Sequence, residues 1–177
     1  MKIAEAKARM TEKFKPKTVY VTYIAATREQ VWQALTDPDF TRQYVSGFAV
    51  DIAPQAGGTF KLLYPDGRTH ISGNVVEWSP PQRLACTWLI EGMPDFSALP
   101  ECLVTYEIEQ SGESVKLTVT ESHSWDIPDD LLSGGRAGWP AILSSLKSLL
   151  ETGKPLSLKM EQPKEMMEAL KRMKPTA

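Results

Sequence analysis

Residues Gly138–Leu150, GWPAILSSLKSLL, decide how the rest of the chain is read. Trp139, Ile142, Leu143, Leu146, Leu149 and Leu150 recur at spacings of three, four and seven, one wide apolar stripe on an α-helix. Pro140 falls in the first turn on this reading, where a missing N–H costs nothing. Gly153 and Pro155 supply the stop. A strongly amphipathic helix late in the chain needs a surface to lie on, and a long run of strand-like sequence precedes it. Function turns on whether the two surfaces meet flush or leave a cavity.

Outward from that helix, period-two segments follow one another. Val115, Leu117 and Val119 alternate on one strand; Cys102, Val104, Tyr106 and Ile108 alternate on the strand before it, and Ser111-Gly112 turns between them. Leu84, Cys86, Trp88 and Ile90 share a face, and Gly92–Pro100 is a loop that is oddly apolar, with Met93, Phe96 and Leu99. Thr69–Trp78 ends at Ser79-Pro80-Pro81, and Pro65-Asp66-Gly67 is a hairpin turn back to Phe60, Leu62 and Tyr64. Phe48–Ile52 is a short strand before the Gly57-Gly58 turn. Earlier still, Thr27 and Gln30 make a capping box for a helix through Val31, Trp32 and Leu35, which stops before Pro38. Asp37–Tyr44 reads as a second short helix, and Val19–Ile24 (VYVTYI) as the first strand.

The late strands alternate apolar with polar residues, so one face is expected wet and the other covered. Only the Trp139–Leu150 helix is long enough to cover it. The expected architecture is α+β: a curved antiparallel sheet of about six to seven strands wrapped around a long C-terminal helix, with two short helices after the first strand. The expected organisation is an arm over residues 1–16, a helix-grip domain over 17–153 and a tail over 154–177 with a short amphipathic helix. The arm is a charged helix or an unstructured lead-in, closed by Pro16.

With 177 residues, 42% apolar and 24% charged, the chain suits one domain with a sizeable core. A net charge of −2 gives no electrostatic case for nucleic acid or an anionic membrane. No apolar run approaches the roughly 20 residues of a transmembrane helix, and the first residues lack the apolar core of a signal peptide. Two cysteines, Cys86 and Cys102, are too few for a disulfide framework, and the expected setting is the reducing cytoplasm.

Four segments, taken together and in order, resemble the START-like (SRPBCC) superfamily. VWQALTDPDF resembles its strand-to-helix segment, and AGGTFKLLYPDG with GNVVEWSPPQRLACTW its central hairpins. LVTYEIEQSGESVKLTVTES resembles its last hairpin, and GWPAILSSLKSLLETG its C-terminal helix. The branch is the one similar to the activator homologue of the heat-shock-protein-90 ATPase, and the likeness runs from about Val19 to Gly153. It implies a helix-grip fold around a hydrophobic cavity. It implies little about reaction, because members include lipid carriers, hormone receptors, cyclases and co-chaperone domains.

The phase of Val115, Leu117 and Val119, continued by twos, carries Glu121, His123 and Trp125 to the inner face if the strand lasts that far. A carboxylate and an imidazole there can bind a polar ligand end or serve as general base and acid. If the strand ends near Glu121, both side chains reach solvent instead. His70 and His123 are the only histidines, and neither stands at a metal-site spacing such as HExxH. No phosphate loop, dinucleotide fingerprint or nucleophile elbow is present, so no cofactor is expected. Gly134-Gly135 reads as a turn, and Cys86 as buried filling.

The leading expectation is therefore a small hydrophobic molecule bound between sheet and helix. The wall residues are Phe60, Leu62 and Tyr64, Trp88, Met93 and Phe96 as a lid, Tyr106, Glu121 and His123, and Trp139 and Leu143 on the helix. Trp125 joins Trp88 and Trp139 at the rim. The alternative is a chaperone-associated interaction module; a cyclase or hydrolase using Glu121 and His123 comes third. In the tail, Met166, Met167, Leu170 and Met173 share a helical face opposite Lys164, Lys171, Arg172 and Lys174. That face docks on its own domain, pairs two copies in a homodimer, or meets a partner.

Overall fold

Among the described residues, the seven strands and the four helices from Arg28 onward follow the order in which their signals occur in the sequence. The computed structural model describes residues 5, 8, 9 and 11–173. In chain order the elements are β1 (Lys15–Ile24), α1 (Arg28–Thr36), α2 (Pro38–Tyr44), β2 (Ala49–Ile52), β3 (Thr59–Leu63), β4 (Thr69–Ser79) and β5 (Arg83–Ile90). They continue with a 3-10 turn (Pro94–Phe96), β6 (Cys102–Ser111), β7 (Ser114–His123), α3 (Asp129–Thr152) and α4 (Lys164–Met173). All strand pairs are antiparallel in one sheet, ordered β1-β7-β6-β5-β4-β3-β2. Pro16 fits β1 because β1 is an edge strand, and the register shifts between Pro16 and Thr18.

Local chemistry sets the two short helices. The Gln30 amide N–H donates to Thr27 Oγ1 (3.2 Å) and the Thr27 N–H donates to Gln30 Oε1 (2.8 Å), the reciprocal capping box. Asp37 ends α1 and caps α2, with Oδ1 accepting from Asp39 N–H at 2.8 Å. The Tyr44 hydroxyl donates to the Ala34 carbonyl at 2.8 Å and ties α2 back onto α1.

The sheet curls around the C-terminal half of α3. Ile24, Val115, Leu117, Val119 and Leu146 are each 0% exposed at this contact. Removing a side chain of this size from water stabilises by roughly 1.5–3 kcal/mol, so this contact dominates the packing.

Two expectations need correction, while the first reading of the tail face is met. The long helix begins at Asp129, not at Gly138, so Gly134 and Gly135 are helical residues and Pro140 lies in the helix interior. The outer face of the sheet is not wet throughout: Phe14 lies with Val76, Ala85 and Leu103 in a separate buried cluster. The tail helix docks on its own domain, where Met166, Ala169 and Leu170 are buried with Phe96, Ile127, Leu131 and Leu132.

Asp130 of α3 and Arg172 of α4 pair across that contact. The linker is fastened as well, since Ser145 Oγ accepts from the Leu156 N–H at 3.1 Å. Of the arm, the described residues 5, 8, 9, 11 and 12 are helical; the rest of the arm up to residue 10, and Lys174 of the tail, lie outside the described residues. Among the described residues, no helix is long and apolar enough to cross a membrane.

Candidate functional site

The last residues of β7 set the site. Glu121 pairs with Val104 of β6 and Thr18 of β1, and His123 pairs with Cys102 and Lys15. Neighbours on both sides carry the strand through His123, so both side chains stay on the inner face. They are 12% and 7% exposed. Glu121 Oε1 lies 2.7 Å from His123 Nε2, and Trp139 Nε1–H donates to Oε2 at 3.2 Å. A carboxylate only accepts, so Nε2 carries the proton in this contact. His123 Nδ1 is buried and has no partner in the protein.

The glycines once read as a turn make this arrangement fit. A Cβ on Gly135 would lie 2.6 Å from Glu121 Oε2, and one on Gly134 would lie 2.1 Å from Met166 Sδ. Glycine inside a helix costs about 1 kcal/mol relative to alanine, and here it gives room for a carboxylate and a thioether. α3 therefore lies close on Glu121 of β7 and Met166 of α4 at these two positions, and both glycines border a space between α3, α4 and the sheet.

That space is a cavity of about 180 Å³. Trp88, Phe96, Trp125 and Trp139 give it aromatic walls, Glu121 and His123 a polar end, and Met166 of α4 closes one side. Trp88 and Trp139 stand with ring centroids 5.5 Å apart, and they divide the space under the helix. Beyond them lies a gap of about 30 Å³ lined by Phe60, Leu62, Tyr106 and Leu143. A more open groove of about 360 Å³ runs past Tyr64, His70 and Met93.

The expected wall residues are thus distributed over three adjoining spaces, with Trp88 and Trp139 common to all. Trp88, Phe96, Glu121, His123 and Trp139 meet in the main cavity. Phe96 is 2% exposed within the second core cluster and lines the cavity. Gly134, Gly135, Met166 and Gln162 also border the cavity and escaped sequence reasoning. The pairing of two adjacent glycines with the Leu131-Leu132 dipeptide ahead of Trp139 was the available signal.

Electrostatics follows from burial. Burial pushes the Tyr20 hydroxyl above its usual value, and the Glu121 charge adds to this. The Cys102 thiol is raised by burial first and by Glu121 second. Cys86, 0% exposed, is pushed up to about 12 by burial, which makes it inert filling. Chemically, a carboxylate-oriented imidazole beside an aromatic cavity can anchor a polar ligand group or move a proton. Among the described residues, no group of three or more His, Cys, Asp or Glu side chains is placed to hold a metal ion.

Among solved structures, CalU16 from Micromonospora echinospora is 22% identical, with a TM-score of 0.61 over 88% of this chain and 81% of that one. DynU16, a protein of the dynemicin biosynthetic locus, is 27% identical with a TM-score of 0.66 over 78% of this chain. This chain spans about half of DynU16, 48% of its length. The Aha1 dimer from Colwellia psychrerythraea is 22% identical with a TM-score of 0.59, over 77% of this chain and 96% of that one. Among curated proteins, none is matched. The family model described as "Activator of Hsp90 ATPase homolog 1-like protein" matches residues 25–151, from the end of β1 to the last turn of α3. The helix-grip architecture and this match agree: the chain belongs to the family of activator of Hsp90 ATPase homologue 1-like proteins.

Proposed function

We propose that the protein binds a small hydrophobic molecule in the cavity between β5–β7 and the N-terminal half of α3. The observation that carries this reading is the cavity itself: about 180 Å³ of aromatic-walled space, bordered by Gly134 and Gly135 of α3, with one buried carboxylate–imidazole pair at its end. Sites for small molecules are mostly apolar with a few placed polar groups, and this one follows that pattern. Its size suits a single ring with a short arm, since a cavity of about 150 Å³ holds benzene. A longer ligand would reach the open groove by parting Trp88 from Trp139. The test is a titration with a small apolar fluorescent probe. Binding at one saturable site, with a change in tryptophan emission, is expected; absence of saturable binding would overturn the reading.

A second reading, a chaperone-associated interaction module, draws on the family's own description and on an exposed apolar row. Val19, Val21 and Tyr23 of edge strand β1 are 57%, 50% and 52% exposed. Saturable binding to a chaperone ATPase, lost when these three are replaced by serine, would favour it. The Aha1 relative is a dimer, and a second copy of this chain is the other candidate for that row.

A further inference from the structure

The polar end of the cavity carries one carboxylate, Glu121, and one imidazole, His123. No Lys or Arg lines the space, and Glu121 Oε1 lies 2.7 Å from His123 Nε2. Oε1 and Oε2 each accept one N–H, from His123 and Trp139, and each keeps a free lone pair. Around this end stand the indoles of Trp88, Trp125 and Trp139.

Building on the cavity-binding reading, we propose that the ligand is an amine: an aryl or short alkyl chain ending in an ammonium group. The ammonium is held at Glu121 and the hydrocarbon lies among the indoles. Three features converge on this class. A carboxylate in a water-poor site makes stronger hydrogen bonds to a charged donor than to a neutral one. A carboxylic acid or phosphate ligand would set a second negative charge against Glu121, which disfavours it. The volume, about 180 Å³, admits one ring and a short arm but no lipid tail.

The test compares three probes of nearly equal size on the full chain at neutral pH and low salt: toluene, benzyl alcohol and benzylamine, followed by tryptophan emission or calorimetry. Benzylamine is expected to bind at least tenfold tighter than toluene, with benzyl alcohol between them. Glu121→Gln keeps the shape and removes the charge, and should bring benzylamine to within about twofold of toluene. If toluene saturates the wild-type site and benzylamine binds no tighter, the amine assignment is overturned while the cavity reading stands. If none of the three binds saturably, both fall. The wild-type series decides this by itself, so the outcome does not depend on how the variant folds.

Discussion

The two halves of α3 face the same sheet and meet it differently. In the C-terminal half, Leu143, Leu146 and Leu149 are 4%, 0% and 7% exposed and lie against Val115, Leu117 and Ile24 without space for a ligand. In the N-terminal half, Gly134 and Gly135 make room for Met166 and Glu121, and Glu121 and His123 take the inward places that valines and a leucine hold earlier in β7. The C-terminal half is packed core, and the N-terminal half borders the proposed site. One helix and one strand supply both, so stability and binding are separable by position along the same two elements.

The largest effect is expected from Leu146→Asp. The side chain is 0% exposed, and an unpaired buried charge costs several kcal/mol against a total stability of roughly 5–15 kcal/mol. Circular dichroism should show no cooperative melt; a melt close to wild type would contradict the flush contact.

Leu143→Trp sharpens the comparison. Leu143 borders the gap of only about 30 Å³, so the larger ring overpacks the flush half instead of filling the main cavity. The expected loss is about 1–3 kcal/mol in denaturant unfolding, with probe binding retained. Loss of probe binding at unchanged stability would mean that the ligand space extends under Leu143.

The reverse pattern is expected at Gly135→Ala. The added methyl favours the helix by about 1 kcal/mol and displaces the flexible end of Glu121, so the melting temperature should stay near wild type. Binding of an apolar probe or of benzylamine should weaken about tenfold or more, because the carboxylate moves into the space or away from His123. Unchanged binding would show that the glycine serves helix packing alone.

These pairs also show what was legible in sequence. Period-two alternation carried the strand count, the inward phase of β7 and the position of Glu121 and His123, because each is a property of one continuous segment. The capping box at Thr27 and Gln30 was readable for the same reason. The start of α3 was not. Gly134, Gly135 and Pro140 each argue against helix locally, and the contacts that favour glycine there come from Met166 and Glu121, distant in sequence. Asp129-Asp130, acids suited to a first turn, were the signal that was passed over. Phe14 on the outer face and Leu170 on Phe96 are likewise long-range contacts, invisible to periodicity. The single expected cavity became three spaces because sequence placed Trp88 and Trp139 on the wall without showing that their rings meet.

The smallest effect lies outside both halves of the helix. His70 stacks on Phe48 with centroids 4.4 Å apart, and burial holds its pKa below the usual imidazole value. The unfolded chain therefore takes up the proton first. Stability should be full above about pH 6.5 and decline as pH falls from there toward the folded value. His70→Gln should flatten this part of the pH–stability curve, and an unchanged slope would assign it to another group.

The central claim is that the space between the N-terminal half of α3 and the sheet is one that a small molecule can enter. A crystal structure of the wild-type protein soaked in toluene tests it most directly. The predicted result is one aromatic ring bounded by Trp88, Phe96 and Trp139, below Gly135, with no second ring between Leu143 and the sheet. Closure of the space by the indole rings themselves, or toluene bound only under the C-terminal half, would contradict it.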